Sequence, residues 1–147
     1  MNDRGAMTAT SREIVERLLR AGRDLDVDTF VDLMAPDGYI EWPYRPPGVP
    51  GRLRGRAEIR RHLTAVAKGF IRFDEYRDQV IHETTDAEVI IVEYEARGVV
   101  VATGAPFHQT VIAAIRVQNG QILSYRDYIN PLPLIEARAA PAQATEH

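Results

Sequence analysis

The residue best suited to acid–base chemistry is a carboxylate near the end of the chain. Asp127 lies in the segment Gln121–Asn130, and strand alternation places it on one face with Leu123, Tyr125 and Ile129. A carboxyl group on an apolar face loses hydration of its charged form, so its pKa rises toward values that suit proton transfer at neutral pH. The alternative is that Asp127 forms an ion pair with an arginine at a strand end or a subunit interface.

A histidine is the second candidate proton carrier. His62 recurs with Ile59, Leu63 and Val66 at helical spacing, so it shares the apolar face of a predicted helix. A single histidine in such a place is commonly a core residue, and this remains the alternative. If His62 and Asp127 face one cavity, they form a plausible acid–base pair.

Other side chains are candidates for binding a ligand. Aromatic rings can form flat walls and phenol groups can hydrogen-bond a carbonyl. An arginine can hold a carboxylate through two hydrogen bonds, and a buried amide needs a partner. These candidates are Trp42, Tyr44, Arg45, Tyr94, Gln109 and Tyr125. Core packing is the simpler interpretation for Trp42, and a solvated loop position is the simpler one for Arg45.

Composition and motifs argue against several classes of function. The chain has 147 residues, a net charge of −3 and no cysteine, which indicates one domain without thiol chemistry and without general attraction to nucleic acid or anionic membranes. The four histidines are scattered, and there is no glycine-rich phosphate loop. We therefore expect no metal or other cofactor, no nucleic-acid partner and no membrane association. No secretory signal is apparent at the start, so a cytoplasmic location is expected.

The first half of the chain is predicted to be mainly helical. Thr10–Gly22 and the segment from Asp26 to Pro36 are predicted helices, and Tyr39–Trp42 is a short predicted strand. Residues 43–51 contain four prolines and two glycines, which favours a stiff loop. A third helix is predicted from Gly55 to about Lys68.

The second half is predicted to be strands. Their expected ranges are Phe73–Thr84, Glu88–Gly98, Phe107–Val117 and Gln121–Asn130, the last after an Asn-Gly hairpin turn. Helices that precede a run of antiparallel strands indicate the α+β class. We expect a single domain over residues 10–136, with flexible ends at 1–9 and 137–147. A curved sheet wrapped around three helices would leave a conical cavity.

Several segments resemble the SnoaL-like and ketosteroid-isomerase-like branch of the NTF2-like superfamily. They are Leu33–Pro43, Gly55–Ile59, Asn119–Ile122 and Tyr125–Tyr128, in order over roughly residues 10 to 133. The resemblance implies a cone-shaped α+β barrel whose cavity holds a small hydrophobic or aromatic ligand. It implies a cofactor-independent isomerase or cyclase for a carbonyl compound, such as one in polyketide or other natural-product biosynthesis.

The same resemblance implies a homodimer formed through the convex face of the sheet. The side chains expected on that face are Glu93, Ile122, Ser124 and Tyr128.

The functional residues of the resembling proteins match this chain unevenly. Trp42 stands where ketosteroid isomerases carry their base, and Glu41 is shifted by one residue to the other face of the strand. Asp127 matches the acid of limonene-epoxide-hydrolase-like proteins, but Tyr94 and Ala96 occupy the likeliest positions for the arginine–aspartate pair of those enzymes. The phenazine-biosynthesis A/B proteins have an acid and a histidine that Asp127 and His62 could supply.

Two alternatives to an isomerase or cyclase stay open. Epoxide opening would require Glu95 or Arg97 to reach Asp127. A non-catalytic binding or dimerisation module would have a cavity filled by side chains, with Asp127 paired to a surface arginine.

Overall fold

The structure is a computed structural model that describes residues 9–144, with side chains described up to Ala139. In this range one six-stranded sheet, in the order β2-β1-β6-β5-β4-β3, is combined with four helices, which is an α+β fold. The strands are β1 (Met34–Glu41), β2 (Arg52–Arg54), β3 (Ile71–Glu83), β4 (Val89–Val100), β5 (Pro106–Gln118) and β6 (Gln121–Ile129). The helices are α1 (Ser11–Arg23), α2 (Val27–Leu33), α3 (Arg56–Ala67) and α4 (Leu132–Ala144).

The first helix begins at the predicted capping box. The Glu13 backbone N–H donates to the Thr10 hydroxyl at 3.1 Å, and the Thr10 N–H donates to the Glu13 carboxylate at 2.8 Å. The helix runs to Arg23, so Gly22 lies inside it and does not end it as expected. The apolar face of α1 is fully buried at Leu18, where it packs into the core beneath the sheet.

The first strand is longer than the sequence predicts. It begins at Met34 directly after α2 and contains Pro36, which was expected only to end a helix. The proline is tolerated because the parallel ladder to β6 is irregular between Met34 and Tyr39. Gly38 allows close approach in this stretch, since a Cβ there would lie 2.8 Å from the Ile122 carbonyl oxygen.

The hairpin before β6 forms as predicted. Asn119 and Gly120 have φ angles of 54° and 76°, the positive values that a type I′ turn requires. Alternation in β4 and β5 also holds, because Tyr94 and Gln109 face the core with their apolar neighbours.

The outward position predicted for Ile122 is wrong. The ladder between β5 and β6 pairs Val117 with Ile122 and Arg116 with Ser124, so Leu123 is an extra residue in β6. This bulge returns Ile122 to the core, where it is 0% exposed.

The fourth helix replaces part of the expected flexible tail. The Asn130 side chain accepts a hydrogen bond from the Leu132 backbone N–H at 3.1 Å, which forms an Asx-type turn at the start of α4. Leu134 and Ala137 then pack against a small cluster formed by Ile71, Val100 and Phe107. Residues 1–8 and 145–147, part of both predicted flexible ends, lie outside the described residues.

None of the helices found between residues 9 and 144 has the length and apolar character needed to span a membrane.

Candidate active site

A cavity of about 400 Å³ lies between the concave face of the sheet and the helices α3 and α4. Its walls are mostly apolar and aromatic. Tyr94 and Tyr125 are buried in its floor, whereas Gly48 in the proline-rich loop and Arg138 on α4 are exposed at its open end. The cavity has the size and lining of a small-molecule site.

Asp127 lies in this cavity, and its two carboxylate oxygens differ in their hydrogen bonding. Its Oδ2 accepts a hydrogen bond from Trp42 Nε1 at 3.1 Å. Its Oδ1 is buried and has no hydrogen-bond partner among the described residues. Burial raises the pKa of Asp127 to about 7, although the Trp42 hydrogen bond opposes this rise. Among the described residues of this single chain, no arginine forms an ion pair with Asp127.

Three tyrosines lie around the same region of the cavity. The hydroxyl oxygens of Tyr94 and Tyr125 are 3.5 Å apart, and the Tyr76 ring stacks on Tyr94 with a centroid distance of 4.4 Å. Burial, together with the charge of Asp127, raises the pKa of Tyr76 to about 12, and burial raises the pKa of the other two as well. The three phenols therefore stay protonated at neutral pH and can donate hydrogen bonds.

The sequence did not single out Tyr76. The ladder of β3 is irregular between Phe73 and Glu75 and again between Arg77 and Val80. These irregularities break the two-residue alternation that would have assigned Tyr76 to the concave face.

His62 lines the cavity but does not form a hydrogen bond with Asp127 in the described structure. Its ring packs on the Trp42 ring, with the centroids 5.1 Å apart and the planes 52° apart. Trp42 therefore contacts both candidate proton carriers. Burial lowers the pKa of His62, so its imidazole is mainly neutral at neutral pH.

The remaining candidates divide into two groups. Trp42 and Gln109 line the cavity, and the Gln109 amide donates to the Asn130 carbonyl oxygen at 3.3 Å. Tyr44 and Arg45 lie outside the cavity lining, contrary to expectation: Tyr44 is 62% exposed, and the Arg45 guanidinium lies against Gly51. The proline-rich loop contributes Gly48, Val49 and Pro50 to the cavity lining instead.

The residues required for epoxide opening do not reach Asp127. Arg97 and Glu95 form an ion pair with each other at 2.8 Å. Alternation along β4 places them opposite Tyr94 and Ala96, which face the cavity.

No group of three or more metal-ligating side chains was found within the described residues that could hold a metal ion. One charged cavity residue was missed, because Arg138 belongs to the segment expected to be a flexible tail.

A curved six-stranded sheet and four helices over residues 9–144, with a cavity open at one end, define a protein of the NTF2-like superfamily. A SnoaL-like domain matches residues 15–125, which is most of the chain, so the chain belongs to the SnoaL-like family. The resemblance seen in the sequence is confirmed.

Similar proteins and solved structures agree with membership of the SnoaL-like family. An uncharacterized PhzA/B-like protein of Pseudomonas aeruginosa is 36% identical over 128 residues, covering 86% of this chain and 89% of the relative. A crystal structure from Bacillus subtilis, provisionally called an isomerase, is 29% identical with a TM-score of 0.80, covering 88% of this chain and 92% of that chain. A provisionally assigned polyketide cyclase of Pseudomonas putida shares the fold at 18% identity and a TM-score of 0.75, covering 88% and 98%.

Proposed function

We propose that this protein is a cofactor-independent acid–base enzyme, an isomerase or cyclase that acts on a small hydrophobic carbonyl compound. The observation that carries the proposal is the buried Oδ1 of Asp127, which has no partner among the described residues and belongs to a group whose pKa is raised to about 7. A carboxylate with this pKa can both take and return a proton near neutral pH. The provisional names of the structural relatives, an isomerase and a polyketide cyclase, agree with this class of reaction.

The proposed reaction begins with the removal of a proton from the carbon next to a carbonyl. Asp127 accepts the proton, and the electron pair of the broken C–H bond forms an enolate whose oxygen accepts a hydrogen bond from Tyr94 or Tyr125. In an isomerisation the Asp127 carboxylic acid returns the proton to a different carbon. In a cyclisation the enolate carbon attacks a second carbonyl of the same molecule, and the resulting alkoxide takes the proton.

The other candidate functions have less support. Epoxide opening would need a second acid and an arginine beside Asp127, and the described residues supply neither, because Glu95 and Arg97 pair with each other. A non-catalytic binding or dimerisation module would have a filled cavity and Asp127 paired to a surface arginine, whereas the cavity is open and Asp127 Oδ1 has no partner among the described residues.

Proton exchange from 2-tetralone tests the proposal without knowledge of the natural substrate. This bicyclic ketone has an activated CH2 group next to its carbonyl, and its replacement of hydrogen by deuterium in D2O can be followed by NMR. We expect exchange well above that in protein-free buffer, with a rate that rises through a midpoint near pH 7. A rate equal to that of the buffer at every pH would refute the proposed chemistry.

Trp42→Phe is expected to move this midpoint to higher pH. The indole N–H stabilises the charged form of Asp127, so its removal raises the carboxyl pKa further. One lost hydrogen bond to a charged group corresponds to a shift of about one pH unit. Tyr44→Phe, at an exposed aromatic outside the cavity, is the matched control and should leave the midpoint in place. An unchanged midpoint in Trp42→Phe would show that the indole does not tune the reacting group.

The protein is further proposed to form a homodimer through the convex face of the sheet. Ile112 is 46% exposed on that face, between its ladder partners Glu93 and Tyr128 on the neighbouring strands. Sedimentation equilibrium should give twice the chain mass, and Ile112→Glu should shift it to the monomer. A wild-type mass equal to one chain would contradict the dimer.

A further inference from the structure

Two charged side chains occur among the described residues that line the cavity. Asp127 lies inside it, and Arg138 lies at its exposed end. The wall between them is apolar and includes Phe73, Phe107 and Leu134. The cavity thus combines an acid, a hydrophobic middle and a guanidinium at the entrance.

Arg138 is held in place by the proline-rich loop. Its Nη1 donates a hydrogen bond to the Pro47 carbonyl oxygen at 2.6 Å. The guanidinium lies directly on Gly48, where a Cβ would be 3.2 Å from Nη1. Gly48 also has a φ of +89°, a conformation that disfavours any side chain. A stiff loop therefore fixes an otherwise flexible cation at the cavity entrance.

The guanidinium has unused capacity for an anion. Arginine carries five N–H donors, and the described contacts use Nη1 alone. No Asp or Glu among the described side chains forms an ion pair with Arg138. A planar guanidinium with free donors is suited to hold a carboxylate through two parallel hydrogen bonds.

We propose that Arg138 binds a carboxylate group of the substrate, so that the enzyme acts on keto acids with an apolar body. This inference rests on the proposed function, since it assigns a substrate class to the same cavity. The carboxylate lies at the entrance, the apolar part contacts Phe73 and Leu134, and the carbonyl end reaches Asp127. The reverse orientation would bring two carboxyl groups together in a buried place, which is unfavourable.

Ligand binding in the cavity can be followed by the intrinsic fluorescence of the protein. Trp42 is the single tryptophan in the sequence and lines the cavity, so a ketone that enters should quench tryptophan fluorescence. The two probes are 4-oxo-4-phenylbutanoate and 1-phenylbutan-1-one, which share an aryl ketone and differ in the carboxylate. We expect the wild type to bind the carboxylate about tenfold more tightly, as one charge-assisted contact in a partly exposed place allows.

Arg138→Gln should remove this preference and leave the affinity for 1-phenylbutan-1-one unchanged. Arg138→Lys should keep part of it, because the charge remains but the two-point geometry is lost. Arg126→Gln is the control, since Arg126 is exposed and pairs with Glu41 outside the cavity. Equal wild-type affinities for the two probes, failure to bind either probe, or a preference that survives Arg138→Gln would overturn the proposal.

Two further results separate this inference from the proposed function. Equal weakening of both probes by Arg138→Gln would show that the residue only braces the loop, and would also overturn the inference. 2-Tetralone has no carboxylate, so its exchange by the wild type tests the chemistry of Asp127 independently of any anchor for a carboxylate. A carboxylate preference without any 2-tetralone exchange would therefore leave Arg138 as an anchor and refute the acid–base chemistry.

Discussion

Asp127→Asn should abolish the exchange of 2-tetralone and, above neutral pH, stabilise the fold. An amide cannot take the proton, and the loss of a general base costs about 10²- to 10⁴-fold in rate. Asparagine is nearly the same size and keeps an oxygen that can accept the hydrogen bond from Trp42 Nε1. The substitution therefore removes the chemistry without disturbing the packing.

The stabilisation follows from the direction of the pKa shift. The pKa of the Asp127 carboxyl group is about 7 in the folded protein, against 3.8 for the same group without a protein environment. The folded state therefore binds more protons than the unfolded state at pH values between these two. The contribution of Asp127 to the free energy of unfolding therefore falls as the pH rises from about 4 to about 7. The Asp127→Asn variant lacks this penalty. Its free energy of unfolding should be nearly that of the wild type near pH 4 and up to a few kcal/mol higher at pH 8.

Urea unfolding at both pH values measures this effect, with NMR exchange measured on the same samples. Asp74→Asn, at an exposed aspartate paired with Arg72, is the control and should not gain stability with pH. An Asp127→Asn variant that keeps full exchange would exclude Asp127 as the proton carrier. A variant that is no more stable than the wild type at pH 8 would exclude the buried charge as a cost to the fold.

Gly98→Ala should destabilise the protein more than any other glycine-to-alanine change described for the sheet. A Cβ at position 98 would overlap the Arg72 carbonyl oxygen and lie 2.8 Å from its carbonyl carbon. These neighbours are backbone atoms of β3, so relief requires the two strands to separate. We expect a loss of about 3 kcal/mol or more in the free energy of unfolding.

The same change should weaken ligand binding, since Gly98 pairs with Phe73 in β3 and Phe107 in β5, which both line the cavity. Urea unfolding at pH 7 gives the stability. Gly104→Ala is the control: its φ of +75° makes a side chain strained, but no atom lies within 4 Å of its Cβ. Gly104→Ala should lower the free energy of unfolding by only about 1 to 2 kcal/mol. Equal losses in the two variants would show that the overlap with Arg72 is not the cause.

The sequence predicts the fold well where local rules decide the structure. The positive φ angles of Asn119 and Gly120 are required by the turn itself, and the alternation in β4 and β5 follows from burial of one face. Asp127 and His62 both line the cavity, because alternation in β6 beyond Leu123 and the apolar spacing of α3 direct them there, and their catalytic roles stay predictions.

The errors occur where tertiary contacts override these local rules. The bulge at Leu123 reverses the predicted side of Ile122, and the irregular ladder of β3 hides Tyr76. The helix α4 is held by packing of Leu134 on a distant cluster, which no local pattern reveals. Because that helix was not expected, Arg138 was missed and Arg45 was preferred as the cavity arginine.

The position of α4 has a consequence for how substrate choice can change. The helix α4 begins at Leu132, after the last strand of the sheet, and contributes Leu134 and Arg138 to the cavity entrance. Exchange of this short terminal segment for that of a relative would alter the entrance without rebuilding the sheet that carries Asp127. The residue proposed to select the substrate and the residue proposed to transfer the proton thus lie on separate elements, so the two proposed roles could diverge independently during evolution or be recombined by design.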